Sequence, residues 1–333
     1  MRRETNPMVG TAPALSGLTR PAIVLALLGV LAAVSIVCFM TLGVRGNWAF
    51  VLQFRMQKLA GLLLVACSVA VSTVLFQTVT NNRILTPSIM GFDALYVLVQ
   101  TSIVFFLGVR MFALMDPHLR FGMEVLLMIC FSGLLFRWLF LGEERSLHLV
   151  VLVGIVFGVF FRSLSNFMQR MLDPNAFQVL QDSFFASFSR IDPTLLGFSW
   201  AIVCLALLVL WRMGHCFDVL SLGRAQAINL GVSYRRTVIV ILMIISVLVA
   251  VSTALVGPIT FFGLLVASLA HGLVGNSRHR YILPAAVLLS VICLVGGQTL
   301  LERVFAFDTA LSIIIEFLGG VVFIFLIIRG AAR

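Results

Sequence analysis

Apolar runs of about 20 residues, separated by short polar gaps, follow one another along almost the whole chain. Runs of this kind lie at 21–44, 57–79, 89–108, 121–140, 147–168, 194–212, 237–256, 259–275, 282–300 and 310–329. A helix of that length rises about 30 Å, the thickness of a bilayer core. The pattern therefore predicts about ten membrane-spanning helices. The stretch 259–275 is the shortest of them, bounded by Gly257-Pro258 and Gly275-Asn276. The opening run is longer than a signal-peptide core and reads as a retained first span. An even number of spans puts both termini on one side. That side carries fourteen of the 23 Lys and Arg, so the positive-inside rule makes both termini cytoplasmic. The expected organisation is a cytoplasmic tail over 1–20 and one transmembrane domain over 21–329.

Composition agrees with the pattern. Of 333 residues, 61% are hydrophobic and 11% charged, with a mean hydropathy of +1.13. Soluble domains carry about 25% charged residues. The net charge of +10 does not point to nucleic acid, because the basic residues are scattered over short loops instead of lining one face. Six cysteines fall singly and five histidines show no ligand spacing, so a metal site is not expected, the grouping His215-Cys216-Asp218 included. No P-loop occurs, so this chain cannot hydrolyse ATP by itself. It reads as a non-catalytic transport subunit.

Two polar interruptions stand out. At 172–193 the segment is bounded by Asp173-Pro174 and Asp192-Pro193, both turn signals. Phe177, Leu180, Phe184, Phe185 and Phe188 follow helical spacing between them. This predicts a short periplasmic helix, lying either on the interface or as a lid on the bundle. At 218–236 the stretch LGRAQAINLGV is too polar to insert, and Gly223 and Gly231 punctuate it into short helices. Ala225, Ala227 and Leu230 offer a small apolar face, suited to a soluble partner or to an ordinary solvated loop. Further on, Gly257-Pro258 breaks one helix and starts another.

Charges within spans are costly and informative. Ser312, Glu316 and Gly320 share a face of the last span, and Arg162 lies at similar depth in the fifth. They are expected to flank a translocation path, with Arg162 pairing with Glu316 or touching cargo, or else to make structural pairs elsewhere. Gly154 and Gly158 form a GxxxG that lets helices approach closely. Asp93 and Glu124 sit at span ends and read as helix caps or water-facing groups.

LGRAQAINLGV followed by a span and GPITFFGL resembles the permease subunits of bacterial ATP-binding-cassette importers for ferric siderophores, haem and vitamin B12. The matching residues are Leu222, Gly223, Ala227, Leu230, Gly231 and Val232, then Gly257, Pro258, Ile259, Phe261, Gly263 and Leu264. A second region is similar to the family's second-span signature through Gln77, Asn82, Arg83, Pro87 and Gly91. LTPSIMGFDALYVL is closest in look to the branch for catecholate-type or related siderophores such as petrobactin and anguibactin. Ala267 and Ser268 replace the family's Pro-His, and His271 stands where its Arg would be.

The resemblance implies the all-α fold of the vitamin B12 permease, a type II ABC importer permease of about ten transmembrane helices in the bacterial inner membrane. It implies import of a ferric siderophore from periplasm to cytoplasm, with vitamin B12 or haem as alternative cargo. An ion-coupled secondary transporter is the rival from another class, with Glu316 or Asp93 carrying the ion. The implied partners are a dimer of cytoplasmic ATPases, a second permease (a heterodimer favoured) and a periplasmic siderophore-binding protein. ATP and magnesium belong to the ATPase, and no cofactor is expected on this chain. Leu222, Gly223, Arg224, Ala227, Leu230, Gly231 and Val232 would dock the ATPase, and Gly257-Pro258 would act as a hinge. Arg55, Lys58 and Arg303 would receive the binding protein, unless they are interfacial bases that snorkel.

Overall fold

The computed structural model describes residues 20–43, 48–140, 147–188, 191–303 and 311–331. Among these the chain is helical throughout, without strands. The elements are α1 (Arg20–Thr41), α2 (Trp48–Thr80), a 3-10 turn (Pro87–Met90), α3 (Phe92–Leu114), α4 (Pro117–Phe140), α5 (Leu147–Arg170) and α6 (Pro174–Asp182). There follow α7 (Pro193–Arg212), α8 (Gly214–Leu220), α9 (Arg224–Asn229), α10 (Tyr234–Val256), α11 (Phe262–Val274), α12 (His279–Arg303) and α13 (Leu311–Ala331). Of the expected N-terminal tail only Arg20 falls within the described residues, as the first residue of α1.

Eight helices (α1–α5, α7, α10 and α12) are long and apolar enough to cross a membrane, and α13 has 21 residues. The expected span at 259–275 needs correcting. Its helix, α11, has only 13 residues, about 20 Å, which is too short for a bilayer core. Residues 257–261 run non-helically before α11, with a turn at 260–261. Irregular backbone survives at such depth only inside protein. Accordingly Gly257, Pro258 and Ile259 are buried.

The bundle is organised around α2, whose apolar window is 72% buried against 17% for α1. α12 packs on α1, α2 and α11, while α10 packs on α2, α4 and α7. α3 lies against α5 and α6, and α13 rests on α11 and α12. Hydroxyls inside the bundle donate to carbonyls three or four residues back on their own helices. Thr78 to Val74, Ser246 to Leu242 and Ser165 to Phe161 are examples. Polar side chains thereby become tolerable in an apolar interior.

The two Asp-Pro pairs bounding 172–193 are N-caps. Asp173 accepts from the backbone N–H groups of Asn175 and Ala176, and Asp192 from those of Thr194 and Leu195. The segment between them packs on the bundle with part of its apolar face, while Phe177 and Phe185 stay exposed. Leu180, Ala186 and Phe188 are buried, the Ser187 N–H donates to the Val256 carbonyl at 2.8 Å, and Tyr96 Oη donates to the Ser183 carbonyl at 3.4 Å.

Candidate functional site

At one end of the bundle α8 and α9 form a two-helix projection. Phe217, Leu220 and Ala227 turn inward and are buried, while Leu222, Ile228 and Leu230 are exposed beside Arg224. The spacing of LGRAQAINLGV has a backbone explanation. The Gly231 N–H donates to the Ile228 carbonyl and the Val232 N–H to the Ala227 carbonyl, both at 3.0 Å, with Gly231 at φ +83°. This is a Schellman cap, which needs a left-handed residue at that one position. Val232 is half-buried behind it. Ala227 belongs to the packed side, not to the exposed apolar face that the sequence suggested, and Ile228 takes that place.

This projection is fastened to two long helices. His279, at the start of α12, is buried. Its Nδ1 lies 2.6 Å from Asp218 Oδ1 on α8, its backbone N–H donates to the same oxygen at 2.9 Å, and its Nε2 lies 2.7 Å from Thr78 Oγ1 near the end of α2. Partial burial would raise the Asp218 pKa, but the hydrogen bonds from the His279 backbone and ring outweigh it and hold the carboxyl below its ordinary range. Asp218 therefore works in a link between helices. Among the described residues no three His, Cys, Asp or Glu side chains gather as a metal site. The sequence did not single out His279, because its partners lie 61 and 201 residues away.

At the opposite end Arg55, Lys58 and Arg303 do come together, but only Arg303 is exposed. Arg55 is 8% exposed and donates to the Phe39 and Met40 carbonyls at 2.8 and 3.0 Å. Lys58 is 5% exposed and pairs with Glu302 at 2.6 Å. Glu302 also accepts from Gln298 at 3.0 Å. Arg303 donates to the Leu42 carbonyl at the end of α1. The expectation of an exposed basic mouth is thus corrected for two residues. Arg55 and Lys58 lie inside the protein and tie α2 to α1 and α12, because unpaired carbonyls and a carboxylate sit there to receive them.

Between these ends lie the intramembrane charges. Arg162 is exposed on α5, with Asn166 and Arg170 one and two turns further along the same face. A stripe of that polarity is costly against lipid unless its arginines reach the membrane surface. Glu316 is half-buried on α13. No Arg162–Glu316 ion pair occurs among the described residues. Open space lies beside Gly320, and its neighbour Gly319 is the glycine packed closely, against Phe261. Ser312 lies in α13, but its side chain falls outside the described residues. Gly154 and Gly158 do permit a close approach, to Met90 and Gly91 at the entrance of α3.

Asp93 and Glu124 depart from expectation. Glu124 is buried, bonded to Gln100 at 2.6 Å and to Arg120 at 3.0 Å. Asp93 is 7% exposed, and its Oδ2 accepts from the Thr260 hydroxyl at 3.0 Å. Thr260 therefore binds Asp93 directly after the Gly257-Pro258 break. The residue missed by sequence reasoning is this threonine. Its signal was a polar side chain in the only irregular backbone expected within a span.

An all-helical bundle with eight helices long and apolar enough to cross a membrane among the described residues, and with charged residues on their faces, is the architecture of a polytopic membrane protein. The chain belongs to the FecCD transport family, which matches residues 18–329. It is 49% identical over 284 residues to the petrobactin import system permease protein YclO of Bacillus subtilis (strain 168), covering 85% of this chain and 90% of that one. It is 35% identical over 282 residues to the petrobactin import system permease protein FatC of Bacillus anthracis, covering 85% and 80%. A solved chain, described as an inward-facing conformation of a metal-chelate type ABC transporter, superposes with a TM-score of 0.78 at 22% identity. It covers 93% of this chain and all of that one, and establishes the fold.

Proposed function

We propose that this chain is the permease subunit of an ATP-driven importer that carries a ferric siderophore of the petrobactin class across the cytoplasmic membrane. Two relatives that cover 85% of the chain are named for petrobactin import, which supports the cargo class. A separate pair of ATPases supplies the energy and holds ATP and magnesium, and this chain carries no cofactor of its own. The termini and α8–α9 face the cytoplasm, and a second, related permease completes the channel. A siderophore-binding protein delivers the cargo from outside, with Arg303 at its landing face and Arg55 and Lys58 bracing the helices beneath.

The observation that carries the mechanism is the fastening of α8 to α2 and α12 through Asp218, His279 and Thr78. The ATPase grips Leu222, Arg224, Ile228 and Leu230. Gly223, Ala227, Gly231 and Val232 hold these groups in shape. Closure of the ATPases pulls on α8, and the link passes the pull to α2 and α12. The break at Gly257-Pro258 lets α10 and α11 change their angle. Arg162 and Glu316, with Ser312 and Gly320 on the face of the latter, border the path taken by the anionic chelate.

The test is a double variant, Leu222→Asp with Leu230→Asp, in cells fed ferric petrobactin. These exposed side chains contribute little to folding, so the chain stays in the membrane. The co-purifying ATPase is lost, and uptake falls about tenfold or more, as for loss of an interface hot spot. Normal uptake by the double variant, or uptake that persists when ATP is depleted, overturns the reading.

A further inference from the structure

Between α2, the 3-10 turn, α10 and the α10–α11 break lies a small cavity lined by Ser72, Ser88, Asp93, Ser252, Gly257 and Thr260, among others. Asp93 Oδ2 is satisfied by Thr260, but Oδ1 is buried with no hydrogen-bond partner. An orphaned carboxylate oxygen in a membrane interior is costly and calls for an occupant. The space open to the centre of a water is about 20 Å³, which is room for a water or a bare ion and far too little for an iron chelate.

The hydroxyls decide the sign of that occupant. Ser72 donates its proton to the Val69 carbonyl at 3.2 Å, Ser252 to the Val249 carbonyl at 3.0 Å, and Thr260 to Asp93. These three have spent their protons and offer the cavity only lone pairs. Three such oxygens beside an orphaned carboxylate oxygen attract a hard cation. The lining sets its valence: one orphaned carboxylate oxygen among neutral hydroxyls supplies a single negative charge, which suits a monovalent ion. An ion at the centre satisfies all of them together.

We infer that this cavity binds one dehydrated monovalent cation of the size of sodium, held by Asp93 Oδ1 and the hydroxyl oxygens of Ser72, Ser252 and Thr260. The ion joins the start of α3 to the break between α10 and α11. It thereby stiffens the hinge invoked above, and to that extent the inference rests on the proposed importer mechanism.

The experiment reads binding first and needs no cargo. The permease, purified with its partner subunits in lipid nanodiscs, is melted in sodium chloride or choline chloride at equal ionic strength. Sodium is expected to raise the melting temperature by several degrees, saturably, and radioactive sodium to bind at one ion per chain. Asp93→Asn abolishes both responses. Ser72→Ala, which keeps the charge, retains them with the midpoint moved to roughly tenfold higher sodium, and keeps the test meaningful if the first variant folds poorly. Identical melting in the two salts overturns the inference. So does a response that follows pH and ignores sodium, which would assign the site to a proton. Failure here leaves petrobactin import standing, whereas an intact sodium response without petrobactin uptake would refute the importer reading alone.

Discussion

Replacing Gly91 by alanine strains the protein at a point where neither neighbour can yield. Gly91 joins the 3-10 turn to α3 at φ +92°, a conformation that costs an L-residue about 1–2 kcal/mol. A Cβ there would lie 2.9 Å from Gly158 Cα, 3.0 Å from Gly158 N and 3.3 Å from the Gly154 carbonyl oxygen. All three are backbone atoms of α5, so relief requires moving a helix, and overpacking of this kind costs about 1–3 kcal/mol more. The combined loss is about 2–5 kcal/mol for Gly91→Ala. Gly158→Ala meets the same contact from the other side, with its Cβ 3.1 Å from Gly91 Cα, but it gains about 0.5–1 kcal/mol of helix propensity. Gly29→Ala, in α1 with nothing within 4 Å, is the control and is neutral or slightly stabilising. Thermal melting of the purified chain should therefore rank the variants Gly91→Ala, Gly158→Ala, Gly29→Ala from least to most stable. The first should fall by about 5 °C or more, at roughly 2–4 °C per kcal/mol for chains of 150–250 residues. Equal melting of Gly91→Ala and wild type would refute the close packing of α3 on α5.

Two further outcomes follow from the polar ends. Lys58→Met leaves Glu302 buried without its cation and should cost about 3–5 kcal/mol, whereas Lys58→Met with Glu302→Met should recover most of that loss. A single variant as stable as wild type would show that the pair is not desolvated. Because the Asp218 pKa is held below its ordinary value, its link to His279 contributes above the unfolded value near 3.8 and is lost as pH falls through the lower, folded one. Asp218 is 48% exposed, so after solvent screening the contribution is only about 1 kcal/mol or less. From the carboxylate's side, the difference in melting between wild type and Asp218→Asn should hold steady above about pH 5 and vanish in stronger acid. A difference that grows on acidification would reverse the sign and sink the argument.

The spans were legible because a lipid-facing helix must be apolar over about 20 residues, and that demand is local. The helix end at Gly231 and the break at Gly257-Pro258 were legible for the same reason, since each is decided within a few residues. Burial of Arg55 and Lys58 was not, because the groups that neutralise them are the α1 carbonyls and Glu302, the latter 244 residues from Lys58. Asp93 misled in a more instructive way. An acid in the first turn of a helix is ordinarily a surface group near the positive end of the dipole. Here the helix begins inside the protein. Gln77 donates to the Arg83 carbonyl at 2.7 Å and Asn82 accepts from the Ile84 N–H at 2.9 Å, folding the loop after α2 back toward the bundle. The residues that carried the family resemblance in this region are thus loop-folding residues, and their chemical consequence is the depth at which Asp93 ends up.

α2 and α12 are bonded to each other at both ends. Lys58 and Thr78 are twenty residues apart on α2, about 30 Å, and each meets a partner from α12, Glu302 and His279. Two rods joined at two points so far apart resist both sliding and splaying. A pull on Asp218 would therefore reach a pair of helices tied at both ends. Among the described residues, compliance is available where helical geometry is interrupted, at Pro284 within α12, at Gly108 within α3 and at residues 257–261 between α10 and α11. Thr260 sits in that last stretch and holds Asp93 at the start of α3. On the proposed import mechanism, a change in the angle between α10 and α11 would move Thr260 against Asp93, and force delivered at the projecting segment would reach a buried carboxylate at membrane depth.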